Sequence, residues 1–340
     1  MLLYYMCVAI HNKKMRGVDR DLLKRTLPLW FLLSLLIFVS LTIGASNFSW
    51  DMLFRGHSET WTLFQESRLP RTLSIILAGS SMSIAGLLIQ TVTQNPFAAP
   101  STVGTVDAAR LGMIISLFLF PQATLLQKMV SAFISAMFFT MIFIYSIRNL
   151  SFSEKWLLPL VGMIFSGILS ASSQLIAFRF NLVQSMTSWT QGSFAMIQRH
   201  QYEWLFLSLI ILVATWILAD VFTIMKLGED TSQSLGISYS QMEKLTLFLV
   251  ALTTSVTMIT VGSLPFLGVI VPNLVRQFWG DNIKRVKGSI ALIGACLVLV
   301  CDIVARLVIR PYELSVSLVL GILGSIIFLI LLWKGGQRHA

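Results

Sequence analysis

The 340 residues are 56% hydrophobic and only 12% charged, which leaves too little polar surface to cover a soluble fold of this size. A formal net charge of +10 could suit nucleic acid, but the basic residues are scattered between apolar runs and form no patch interleaved with aromatics, which excludes that partner. The composition points instead to an all-α, polytopic membrane protein whose basic residues report topology.

Taken in order, residues 1–26 read as a cytoplasmic tail, because the apolar start precedes its charges, the reverse of a secretory signal. Lys13, Lys14, Arg16, Arg20, Lys24 and Arg25 then lead into a first span at 27–45, with the N-terminus inside by the positive-inside rule. Residues 46–67 form an outer loop, and 72–92, 103–120, 129–147 and 156–178 are spans two to five. The turn at Gln94-Asn95-Pro96 separates spans two and three, since an Asn-Pro step cannot continue a helix. Residues 179–202 are too polar to span and read as a short outer helix or loop. Span six is 203–222, a cytoplasmic segment covers 223–244, and span seven is 245–264. Span eight, 265–279, is short and interrupted by Pro272, as broken helices are where they pack against protein. Spans nine (289–309) and ten (314–333) lead to a cytoplasmic tail at 334–340, giving about ten helices in one permease domain, 27–333.

Four stretches carry a resemblance. Arg68-Leu69-Pro70-Arg71, followed by Gly79, Gly86, Gln90, Asn95-Pro96-Phe97-Ala98-x-Pro100 and Gly104, is the first. Leu227-Gly228-Glu229 with Ser234-Leu235-Gly236, then Pro265-Phe266-Leu267-Gly268 through Arg276, then Asp302 to Arg306 with Glu313-Leu314, complete it. Together they resemble the permease subunits of ABC importers for ferric siderophores and vitamin B12. That resemblance implies the type II importer fold, a second permease subunit (identical or homologous), two ATPase subunits and a substrate-binding protein on the outside, with no cofactor in this chain. It implies a multi-pass protein of a bacterial cytoplasmic membrane with both termini inside. Thr102-x-Gly104-Thr105 and Asp107 to Gly112 look most like the branch serving ferric catecholates, petrobactin-like ones included, in Gram-positive bacteria. Cobalamin and haem remain alternatives. Asp107 and Asn273 depart from the small residue and the histidine common at those places in relatives.

Candidate sites follow from residue chemistry and from the resemblance. Arg68 and Arg71 open span two and Arg306 and Arg310 close span nine, so packing those ends together would gather guanidinium groups suited to carboxylates. In the family, a binding protein docks there through glutamates. Arginines snorkelling to lipid phosphates would be the plainer account. Leu227, Gly228, Glu229, Ser234, Leu235 and Gly236 lie in the segment that the family uses to engage its ATPase, and the two glycines allow sharp turns. Asn95 and Pro96 are the candidate cytoplasmic gate. Gly79, Ser83 and Gly86 share one face of span two, and Ser317, Gly321 and Gly324 one face of span ten, which suits close helix packing or a smooth pathway wall.

Within the membrane, Asp107 with Arg110 and Asp302 with Arg306 are spaced to neutralise one another along a helix face. Were they coupling groups, the chain would be an ion-gradient-driven secondary transporter, the rival from another class. No Gly-x-x-x-x-Gly-Lys-Ser/Thr loop occurs, so ATP hydrolysis falls to another chain. The four histidines share no ligand spacing, and Cys7, Cys296 and Cys301 read as small packing residues. No catalytic constellation supports an enzyme.

Overall fold

A computed structural model describes residues 18–44, 51, 53, 55, 57–147, 158–195, 197, 202–309 and 312–336. Among these the only β pairing is one isolated bridge, Gln191 to Ser263. The helices are α1 (Val18–Thr42), α2 (Ser58–Leu63), α3 (Leu69–Thr93), α4 (Thr105–Leu119), α5 (Leu125–Ile147), α6 (Leu158–Arg179) and α7 (Val183–Thr190). They continue as α8 (Leu209–Ile217), α9 (Ala219–Met225), α10 (Glu229–Ser234), α11 (Tyr239–Thr260), α12 (Leu267–Trp279), α13 (Ile283–Leu307) and α14 (Val316–Gly336).

The central element is α3. A π-helical turn, Phe64–Arg68, joins it to α2, so Ser58–Thr93 runs as one rod of 36 residues whose apolar window is 89% buried. At a rise of about 1.5 Å per residue it is roughly 54 Å long, well beyond the ~30 Å hydrocarbon core. Its many hydroxyls are compatible with that burial because they are satisfied within the helix: Ser74, Ser81, Ser83, Thr91 and Thr93 each donate to the carbonyl four residues back, at 2.6–2.9 Å. Helices α11, α12 and α13 pack around it. By contrast only 22% of the apolar window of α6 and 33% of that of α5 is buried, so these two form the outer layer.

Small residues set the closest approaches. A Cβ on Gly79 would lie 2.7 Å from the Gly294 carbonyl oxygen of α13, and one on Gly86 would collide with the Gly268 backbone of α12. The small face of span two is therefore a packing surface inside the subunit. The corresponding face of span ten is divided: Gly324 meets Phe266, Ser317 accepts from the Gly192 N–H at 3.2 Å, and Gly321 faces open space.

Pro272 sits inside α12, cannot donate to the Gly268 carbonyl, and is nonetheless buried. The missing donor comes from another helix: Gln90 Nε2 donates to Gly268 O at 3.3 Å. The short α12 is thus completed by α3, the arrangement under which broken helices survive in a membrane.

Among the described residues, five single helices are long and apolar enough to cross a bilayer, and the two-part span six makes six. The span read at 203–222 is broken: a 3₁₀ segment, Tyr202–Ser208, leads into α8, and a break at Leu218 bends the chain by 74° into α9. The count of ten spans is likewise inexact. Helices α4 and α12 have 15 and 13 residues, and the apolar stretches of α1 and α14 described here, Thr26–Thr42 and Val316–Leu331, also fall short.

Candidate functional site

Two clusters, one at each end of the α3 rod, gather the residues singled out in the sequence. At the Arg68 end, the start of α3 and the end of α13 do meet. Arg71 Nη2 lies 2.8 Å from Asp302 Oδ1, and its Nη1 donates to Glu313 Oε1 at 3.1 Å. Arg306, one turn beyond Asp302, completes the second ion pair at 2.5 Å. Asp302 is fully buried between the two guanidinium groups.

The same arginines also close α1. A helix leaves its last carbonyls without partners, and cations suit that end of its dipole. Arg306 Nη1 donates to Ser40 O at 2.9 Å and Ile43 O at 2.6 Å, and its Nη2 to Ser40 Oγ at 2.8 Å. Arg68 Nη1 donates to Leu41 O at 3.0 Å. Arg68 and Arg306 are each only 5% exposed. The expected gathering of arginines is present, but it is interleaved with two carboxylates and three carbonyls rather than laid bare as a basic patch. Arg310 lies outside the described residues.

The intramembrane pair on α4 also forms, Arg110 Nη1 to Asp107 Oδ1 at 3.0 Å. The Ser166 hydroxyl of α6 donates to the other Asp107 oxygen, so this carboxylate is held from two helices.

At the opposite end, the 223–244 segment folds as α9, a turn, α10 and the first turn of α11. Gly228 and Gly236 have φ of +103° and +79°, the left-handed turns that glycine permits. Ser232 secures the α10 turn, its hydroxyl donating to Gly228 O at 2.6 Å. The apolar residues then divide by direction. Ile237 and Met242 are 4% exposed and anchor the segment, whereas Leu227 and Leu235 are 63% and 58% exposed. Glu229 accepts from Gln233 Nε2 at 3.1 Å, and Ser234 donates to Asp230 O at 2.9 Å, so these side chains shape the α10 surface locally.

This segment is bolted to the Asn95-Pro96 turn. Gln94, at φ +52° past the end of α3, donates to Met225 O at 2.9 Å, and the Tyr239 hydroxyl donates to Val92 O at 3.0 Å. Asn95 is 5% exposed and its Oδ1 accepts from the Phe97 N–H at 2.8 Å, while Pro96 O accepts from Asn273 Nδ2 at 2.6 Å. Lys226 pairs with Asp281 at 2.8 Å, and Arg276 pairs with the same carboxylate, tying α9 to the α12–α13 junction. A cavity of about 370 Å³ opens between the turn and this ion cluster, lined by Gln90, Asn95, Pro96, Thr223 and Arg276 among others. Sequence reasoning missed Gln94, Tyr239 and Asn273 as connectors. Only Gln94 carried a local signal, being the non-glycine residue obliged to turn the chain before Asn-Pro.

The sequence profile of the FecCD transport family matches residues 32–334. The chain belongs to the FecCD transport family. Among FecCD relatives, it is 42% identical over 307 residues to the petrobactin import system permease protein YclN of Bacillus subtilis, covering 90% of this chain and 97% of that one. It is 37% identical to the ferric-anguibactin transport system permease protein FatD of Vibrio anguillarum, over 88% and 95% of the two chains. Among solved structures, a chain described as an inward-facing conformation of a metal-chelate type ABC transporter superposes with a TM-score of 0.78 at 24% identity, over 92% of this chain and 99% of that one. That likeness concerns the fold, and it extends over nearly the whole FecCD chain.

Proposed function

We propose that this FecCD protein is the membrane-spanning subunit of an ATP-driven importer that carries a ferric siderophore, of the catecholate or petrobactin type, across a bacterial cytoplasmic membrane. The observation that carries the reading is the 42% identity spanning 97% of a petrobactin permease. The chain works as a pair with a second permease subunit and two ATPases, which hydrolyse ATP, and a substrate-binding protein delivers the cargo. In this reading the loop end and both termini face the cytoplasm, and 27–333 forms one permease domain.

The exposed Leu227 and Leu235 support a role for α10 and its flanking turns in seating on an ATPase. Two large apolar side chains held out on a polar loop are otherwise costly to leave in water, by roughly 1.5–3 kcal/mol each when a burying partner is absent. The bolts from this segment to the Asn95-Pro96 turn support that turn as the inner gate, moved when the loop moves. The binding protein docks at the arginine end. There, Arg68 and Arg306, committed to α1 and Asp302, hold the surface in shape, and Arg71 and Glu313 lie nearer its rim. Docking through Arg310 belongs to the same proposal.

The test is uptake of a ferric catecholate in cells by the wild type and by Leu227→Asp and Leu235→Asp at equal membrane expression. Loss of uptake in both variants, with unchanged melting temperature of the purified chain, is the expected result. Normal import by the variants, or import that stops with an uncoupler but continues without the ATPase, would replace this reading with gradient-driven transport.

A further inference from the structure

A second cavity, about 670 Å³, shares no lining residue with the first. It lies between α1, α3, α8 and α13 at the loop end, with Trp30, Leu33, Ile76 and Leu212 among its walls. Lys284, Arg285 and Lys287 stand at its rim. Trp30 and Trp216 are 57% and 54% exposed, amphipathic rings of the kind found at a membrane–water boundary.

Among the described residues the rim carries more positive than negative charge. Lys284 pairs with Asp220 at 3.0 Å. Lys287, 8% exposed, donates to Trp216 O at 2.9 Å, lies 4.6 Å from the centroid of that indole, and among the described residues forms no ion pair but feels the same Asp220. Exposed Arg285 has no ion-pair partner among the described residues. Among the described residues, three cations therefore face one carboxylate beside an apolar groove. A free anion would have no use for the groove, and a neutral lipid none for the cations. A molecule that is anionic at one end and long-chain apolar at the other satisfies both.

We propose that this cavity binds an anionic phospholipid from the leaflet at the loop end. Its phosphate lies against Arg285 and Lys284, and an acyl chain runs along Leu33 and Leu212. The bound lipid lies beside Trp216, whose carbonyl, two residues before the break at Leu218, accepts from Lys287. It stabilises the α8–α13 contact from outside and does not depend on the cargo or on the identity of the ATPase.

The experiment is native mass spectrometry and thermal melting of the full-length chain purified in detergent. Phosphatidylglycerol, phosphatidylcholine and inorganic phosphate are added separately. Phosphatidylglycerol should be retained and should raise the melting temperature. Arg285→Gln should weaken retention about fivefold, and Lys284→Gln/Arg285→Gln about twenty-five-fold, taking ~1 kcal/mol for each basic residue near an anionic headgroup. Arg179→Gln, at the end of α6, should leave retention unchanged. Equal retention of both lipids, an equal effect of inorganic phosphate, wild-type retention by the double variant, or a polypeptide captured by a photo-crosslinker at Leu212 would each overturn the proposal. Uptake is no part of the readout, so this proposal and the transport reading fail separately.

Discussion

Gln90→Met removes the one amide side chain in α3 while keeping its length. In the native chain that amide serves Gly268 O, which has lost its own helical donor to Pro272. Gln90 is 7% exposed, so the bond lies largely out of bulk water. An orphaned buried carbonyl costs about 1–3 kcal/mol. Interhelical bonds in membranes average nearer 0.6 kcal/mol, and this one is long. We therefore expect a destabilisation of about 1 kcal/mol. Pro272→Ala supplies the missing N–H, and in that background Gln90→Met should cost no more than about 0.3 kcal/mol, since a carbonyl already bonded loses little. The assay is a double-mutant cycle by reversible unfolding in mixed micelles. An equal cost in both backgrounds would refute the account of how α12 tolerates its proline.

Asp302→Asn leaves Arg71 and Arg306 buried with Glu313 as the one carboxylate described beside them, and should cost about 3–5 kcal/mol, read as a large fall in melting temperature. If binding-protein affinity falls with no loss of stability, the arginines are a docking surface and not a structural knot. A pH dependence arises at the loop end. Burial pulls the Asp281 carboxyl upward, but hydrogen bonds from Arg276 and Lys226 outweigh it and hold the group below its ordinary value. The unfolded chain therefore binds the proton more readily, so this contribution is present above about pH 4 and lost as pH falls through the folded value. Burial lowers Lys226, so its penalty is relieved as pH rises through its folded value toward about 10.4. Asp281→Asn should flatten the melting temperature against pH below 4; an unchanged slope would remove Asp281 as its source.

Most helices were legible because apolar length is a local property: α5, α6 and α13 fall close to where hydropathy puts them. The short α12 was legible too, from Pro272. The bend at Leu218 was not, since no proline or glycine lies between Tyr202 and Leu227. The contact that accompanies it is distant, a lysine 71 positions on that caps the Trp216 carbonyl. For the sites, the gathering of Arg68, Arg71 and Arg306 could be anticipated from which helix ends are neighbours. The Asp302–Arg306 pair was legible from its spacing of four, but the bonds of Arg306 to α1 carbonyls and of Arg71 to Asp302 were not, because they join positions more than 200 residues apart. Likewise, Leu235 and Ile237 are both apolar residues of one loop, and only the folded turn at Gly236 decides that one points out and the other in.

The contact of Gly79 with Gly294 makes the Ser58–Thr93 rod a lever with an off-centre fulcrum. At ~1.5 Å per residue its arms measure roughly 32 Å toward Ser58 and 21 Å toward Thr93. A rigid tilt of about five degrees about that point would displace the short arm by about 2 Å and the long arm by about 3 Å in the opposite sense.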